Sequence, residues 1–211
     1  MDFLLQRRDT VPGPGDGPAY ARHLLRLGWM LHYRERDDLA VAYAGRAIDL
    51  GLDPENLAGA CLFLGLVGEA RADWVGAVRH YAEGCGTEAG DLRTRYFLRN
   101  NLAYSLLQLG ECAAAEDYCR EAIALAPEIH NAYKNLGLAL RGQQHHAEAA
   151  QAFLTAARVR PEDGRALAHL REMVGDLDSR AEEGDDPRFR SELATVEEMM
   201  AEAELREEAR Q

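Results

Sequence analysis

The side chains of this chain that could do chemistry are few and poorly spaced for it. Cys61, Cys85, Cys112 and Cys119 include no CxxC pair, the spacing that redox dithiols and zinc sites favour. In a chain long enough to build its own core they read as reduced thiols of a cytoplasmic protein. The adjacent His145 and His146 have no further ligand at useful spacing, so they are expected in an exposed turn rather than at a metal. Neither a GxxxxGK phosphate loop nor a GxGxxG dinucleotide fingerprint is present. Most carboxylates fall on solvent faces with nothing nearby to perturb them. The expectation is therefore no catalytic residue, no metal and no cofactor: not an enzyme. What remains is recognition, by side chains that grip rather than react.

Composition says how such side chains are carried. Ala, Leu, Glu and Arg are abundant and β-branched residues few, which favours helix. The formal net charge is −12, which gives no positive field for a phosphate backbone, so nucleic acid is not an expected partner. The acidity is concentrated: residues 171–211 hold 14 acidic and six basic side chains, −8 of the total. Lys134 is the only lysine, the other 23 basic residues being arginine. At the N-terminus, Arg7 and Arg8 follow the short apolar patch instead of preceding it, and a Gly/Pro run from Val11 to Pro18 breaks the chain, so no export signal is read there. No stretch approaches the ~20 apolar residues that span a bilayer, so no membrane insertion is expected.

An internal period organises the rest. Asn131 to Pro161 aligns with Phe97 to Pro127 at a shift of 34 residues. A Leu-small pair recurs as Leu102-Ala103 and Leu136-Gly137; twelve residues past the small member come Ala115 and Ala149, and seven further on come Ala122 and Ala156. Pro127 and Pro161 close the two units, because proline cannot continue a helix. Upstream, Leu64-Gly65 leads to Ala77 and Gly84, and Leu27-Gly28 to Ala40 and Ala47, with junctions three and four residues longer. Longer connections are expected around Glu55–Leu57 and Leu92–Arg95. Each unit reads as two helices. The small residue lets the first helix approach the second, where two small residues two turns apart line one face.

These residues resemble the tetratricopeptide-repeat family. Four units are recognised, about 21–54, 58–91, 96–129 and 130–163, over roughly two-thirds of the chain. The resemblance implies an all-α fold: a right-handed α-solenoid of four helix-turn-helix units with a C-terminal capping helix and an acidic tail helix. Departures are specific. Leu52 and Ala89 stand where a closing proline is usual, Gly84 where alanine is usual. Only Tyr133 supplies the usual aromatic four residues before the small one, against Leu24, Cys61 and Arg99. Cys61 and Cys119 fall in columns that pack between helices; Cys85, between two glycines, is the cysteine placed for exposure.

Residues 1–19 read as a flexible N-terminal segment and 20–174 as the solenoid with its cap helix, Arg165 to Val174. Residues 175–211 read as an acidic linker, with a polar break from Gly175 to Asp186, followed by an amphipathic helix started by Asp186-Pro187. Its apolar stripe, Phe189, Leu193, Val196, Met200 and Ala203, needs a surface to cover it, either this solenoid or another chain.

In the resembled family the first helices of successive units line a concave, partner-binding groove. Counting from the Leu-small pair, that face implies Arg22, Leu25, Trp29 and Tyr33, then Leu62 and Leu66, then Asn100 and Tyr104, then Asn131, Lys134, Asn135 and Leu138. Arg26, Phe63, Phe97, Asn101 and Arg141 neighbour them. The N-terminal half is apolar and the C-terminal half polar and basic. Large apolar anchors contribute ~1.5–3 kcal/mol each when buried, against an association cost of at least ~4 kcal/mol, which suits a peptide or amphipathic helix at micromolar affinity. The same leucines could instead pack between units or lie under the chain's own tail. Some family members hold a C-terminal carboxylate with a Lys/Asn/Asn/Lys/Arg set; Asn100, Tyr104, Asn135, Arg165 and His169 fall at those places, and only Asn135 matches in type.

The expected function is a non-catalytic, cytoplasmic adaptor whose arginine- and alanine-rich composition fits a bacterial source. The alternatives are a secretion-type chaperone shielding an apolar segment, or a scaffold that self-associates through its tail helix.

Overall fold

The computed structural model describes residues 17–183, 191 and 193–201, and these contain helix and turns but no strand. Nine helices are bounded among them: α1 Gly17–His32, α2 Asp37–Asp49, α3 Pro54–Ala70, α4 Trp74–Cys85, α5 Leu92–Gln108, α6 Cys112–Leu125, α7 His130–Gly142, α8 His146–Val159 and α9 Arg165–Glu183. The chain divides into two compact units, 1–94 and 95–211.

In the first unit α1 packs on α2 and α3 on α4, with α3 also against α1 and α2. Its core holds Ala21, Leu24 and Leu25 of α1, Ala40, Ala44 and Ala47 of α2, and Ala60, Phe63, Leu64 and Val67 of α3. In the second unit α7 packs against α6 and α8, and α9 against α8 and α7. A cluster of Tyr96, Ala122, Ala126 and Ala132 joins α5, α6 and α7.

The small residue of each first helix has a specific neighbour. A Cβ on Gly65 would overlap the ring of Tyr81 in α4, and one on Gly137 would stand 2.5 Å from Cε1 of Phe153 in α8. Both rings lie sixteen residues past their glycine and are fully buried. The glycine is the space into which the ring packs. At the same register the third unit has Ala103 with Cys119, both fully buried: the methyl is accommodated where the facing side chain is small. In the first unit Gly28 meets the backbone of α2, a Cβ there lying 3.1 Å from the Ala40 carbonyl oxygen.

Several sequence expectations need correction. The extra residues at the first two junctions do not lengthen loops. Glu55–Leu57 and Leu92–Arg95 are helical, so α3 and α5 are 17 residues long against 13 for α7. Asp53 caps α3, accepting from Asn56 N at 3.0 Å, and Pro54 begins it, where its missing N–H costs nothing. The added turn lets Glu55 accept from the backbone N–H of Gly90 at 2.9 Å and of Asp91 at 3.2 Å. Helix α1 begins at Gly17 rather than after residue 19. The polar break expected from Gly175 is helix through Glu183, because Leu170, Met173 and Leu177 extend a buried stripe across it.

Arg99, in a column that usually carries an aromatic, is accommodated by an ion pair across α5 and α6, Nε to Glu121 Oε2 at 2.7 Å. The tail stripe is taken up by the chain itself at Leu193 and Val196, both buried in a helical stretch. Asp186, Pro187, Phe189 and Ala203 lie outside the described residues.

If rings filling glycine gaps set the helix spacing, Gly65→Ala and Gly137→Ala each destabilise by about 1–3 kcal/mol, the cost of overpacking. Gly59→Ala, also within α3 but with nothing within 4 Å of the added methyl, stabilises by about 0.4–1 kcal/mol. Urea denaturation of the three variants checks the contrast.

Candidate functional site

The first helices carry most of the side chains expected to bind, and their neighbours decide which remain available.

On α1, Arg22 and Tyr33 are exposed, Trp29 is half-buried and Leu25 lies in the core. Trp29 packs with its ring centroid 4.8 Å from that of Phe63, which is fully buried beneath it, and 6.4 Å from that of Tyr33. His32 meets Phe63 edge-on at 5.6 Å and hydrogen-bonds Asp37 through Nδ1 at 2.6 Å. Tyr33 continues the helical turn, its N–H donating to the Trp29 carbonyl at 3.1 Å, yet its side chain is 79% exposed. Met30 is 54% exposed beside it. The result is an aromatic ridge backed by a rigid core ring. On α3, Leu62 and Leu66 are half-buried.

In the second unit, Asn100 and Asn135 are buried and meet each other, Asn135 Nδ2 donating to Asn100 Oδ1 at 3.2 Å. That amide contact fixes α7 against α5. Tyr104, Asn131, Lys134 and Leu138 are half-buried. Burial pulls the Lys134 ammonium below its usual range, and the Arg165 charge adds to the effect. Lys134 forms no ion pair with a described residue.

Arg141 and Arg165, by contrast, are committed. Arg141 fastens α9 to α7, bonding Glu172 at 3.2 Å and Asp176 still more closely. Arg165 bonds Asp163, whose carboxylate also accepts from His130 Nε2 at 2.6 Å. Arg165, then its backbone N–H and His130, hold the Asp163 carboxyl well below the usual range. His169 stacks on Phe153 at 5.8 Å and lies 3.6 Å from Glu172.

Leu25, Asn100 and Asn135 therefore act behind the surface. The basic character read for the C-terminal half reduces to Lys134, since Glu172 and Asp176 neutralise Arg141 and the neighbouring Asp163 neutralises Arg165. Of the positions where a carboxylate-holding set would fall, two are buried amides bonded together and two are engaged by acids. Sequence reasoning passed over Met30, which no small-residue column marks.

Cys61 and Cys119 are buried, and burial pushes both thiols up to about 12, which makes them poor nucleophiles. Cys85 and Cys112 are partly exposed. The expected exposed histidine turn holds for His145 only. His146 is buried as the first residue of α8. Among the described residues no three His, Cys, Asp or Glu side chains are placed to hold a metal ion. Nor is any helix among them long and apolar enough to cross a membrane.

Residues 98–130 match a tetratricopeptide-repeat family model. No curated protein sequence matches the chain. Among solved structures, MamA (residues 41 to the end) from Desulfovibrio magneticus RS-1 is similar at TM-score 0.65 and 20% identity, over 86% of this chain and 96% of that one. YrrB, a repeat protein with an unusual peptide-binding site, is similar at TM-score 0.61 and 15% identity, over 86% and 90%. The first repeat domain of Spaghetti (RPAP3), solved with the HSP90 peptide SRMEEVD, is similar at TM-score 0.53 and 22% identity, over 59% and 95%. At these identities the likeness is one of fold.

The Asp163 carboxylate generates a pH prediction. Because its folded-state pKa is depressed, its stabilisation is present above the unfolded value of ~3.9 and is lost as pH falls through the lower folded value. Asp163→Asn should cost about 1.5–3 kcal/mol near neutrality, the range for hydrogen bonds to charged groups. The gap between the two proteins should begin to narrow below about pH 4 and close only as pH falls through the lower folded value, as read from denaturation midpoints.

Proposed function

We propose that this tetratricopeptide-repeat protein is a non-catalytic adaptor that holds a peptide or helix of another protein against the exposed faces of its first helices. The observation that carries this reading is the ridge on α1. Trp29 and Tyr33 stand on one face with Met30 beside them, and the buried Phe63 ring supports Trp29 from below. Tryptophan and tyrosine dominate binding energies where they occur at interfaces, and a pre-supported ring loses little freedom on binding. Leu62 and Leu66 on α3 accompany this ridge in the first unit, and Tyr104, Asn131, Lys134 and Leu138 are the second unit's own candidate surface.

Peptide binding by YrrB and by the RPAP3 domain is in keeping with this use of the fold. A cytoplasmic setting agrees with the four free cysteines. The chaperone alternative draws on the same apolar ridge. Self-association through the tail has less behind it, because Leu193 and Val196 are already buried in the chain.

Affinity capture from the source lysate, quantified by mass spectrometry, tests the adaptor. Trp29→Ala should abolish enrichment of the partner, a loss above about 2 kcal/mol as for other central aromatic anchors. Tyr33→Ala should weaken enrichment while leaving the melting curve unchanged, since its side chain supports nothing in the core. Unchanged enrichment in both variants would rule out the α1 face.

A further inference from the structure

The α1 ridge carries charge as well as rings. Arg22, Arg26, Trp29 and Tyr33 follow one another at intervals of four, three and four residues, a single stripe along about three helical turns. Arg22, Arg26 and Tyr33 are exposed and Trp29 is half-exposed. Arg34 adds a third exposed guanidinium just past the helix, beside the one acid of that turn, Glu35. In a chain of net charge −12, the segment 17–36 is thus locally cationic.

These cations are available. Arg26 and Arg34 form no ion pair with a described residue. Arg22 approaches Asp53 only at 3.8 Å, with both side chains nearly half exposed. The Asp53 carboxylate is already committed to α3, accepting from the Asn56 backbone N–H at 3.0 Å and from its amide at 2.7 Å. In the second unit, by contrast, Arg99, Arg141 and Arg165 each have a carboxylate at close range.

Building on the adaptor reading, we infer that the α1 stripe selects an acidic segment of another protein: a helix with two carboxylates one turn apart, followed on the same face by large apolar side chains. The carboxylates pair with the Arg22 and Arg26 guanidiniums, and the apolar side chains cover Trp29 and Tyr33. Guanidinium forks match carboxylates in shape as well as sign, and a helix laid along a helix repeats the one-turn spacing. The chain's own acidic tail has related chemistry, but burial of Leu193 and Val196 withdraws its apolar face.

The test uses the full chain and a synthetic helix about four turns long carrying two glutamates one turn apart and two leucines one turn apart on the same face. Two further versions carry glutamine or lysine in place of the glutamates. Calorimetric titration should rank the glutamate peptide above the glutamine peptide and the lysine peptide last, with the preference shrinking at an ionic strength of about 1 M. Arg22→Glu with Arg26→Glu should weaken the glutamate peptide about ten-fold and reverse the ranking. Arg22→Lys with Arg26→Lys should keep the order.

Equal affinity for all three peptides, abolished by Trp29→Ala, would overturn the acidic preference and leave the adaptor site standing. Binding indifferent to Trp29→Ala would overturn both. Failure of every peptide to bind would overturn the acidic preference, lysate capture then judging the adaptor independently. A concentration-dependent oligomer lost in the double charge reversal would put a second copy of this chain on the stripe and likewise overturn the assignment.

Discussion

The helix pairs depend on a close approach at one small residue, and in two of them a ring lies where a side chain is missing. Tyr81 fills the space over Gly65, and Phe153 the space over Gly137. Each ring belongs to the second helix of a pair, so the pair closes around it at a separation that any larger residue would prevent. The third unit reaches the same end with Ala103 and Cys119, trading a smaller facing side chain for an added methyl. This contact uses only one face of the first helix, and on α1 another face stays wholly or partly exposed. Its composition can then be set by what it must touch outside the chain, and on α1 that face carries two arginines, a tryptophan and a tyrosine.

Much of this architecture is legible in sequence because its determinants are local or strictly periodic. The columns of small residues locate every helix pair, and the apolar stripe of α9 predicts a cap. The aromatic half of the contact is harder to see. Tyr81 and Phe153 share a register with Ala44 and Cys119, and a column holding both rings and small residues looks unconstrained until its glycine partner is known. Helix ends were the other weak point. An insertion between repeats reads as a longer loop, but Asp53-Pro54 and the Glu55 acceptor convert the first one into an extra turn of helix. Past Gly175, buried Leu177 outweighs the polar residues around it.

The candidate site was legible to the precision of a helix face. Spacing by fours cannot separate the centre of a face from its margin, which is why Leu25, Asn100 and Asn135 were grouped with exposed neighbours although they lie inside. Charge availability was legible only where the partner is local. Arg165 is neutralised by Asp163 two residues before it, whereas Arg141 is neutralised by Glu172 and Asp176, a pairing that depends on how α7 and α9 meet. Arg26 forms no ion pair with a described residue, and Arg22 meets Asp53 only at 3.8 Å, where that carboxylate already caps α3. Beyond such local pairs, the difference between a committed and an available arginine lies in tertiary structure, and it moves the electrostatic emphasis from the second unit to α1.

The chain contains two tryptophans, Trp29 on the α1 ridge and Trp74 at the start of α4, and their indole N–H signals report on two places at once. Following both by nitrogen–proton NMR while the glutamate-and-leucine helix is added tests the binding face most directly. Docking on the α1 stripe gives a saturable shift of the Trp29 signal with that of Trp74 unmoved. Movement of Trp74 alone, or of neither signal at saturating peptide, would contradict it.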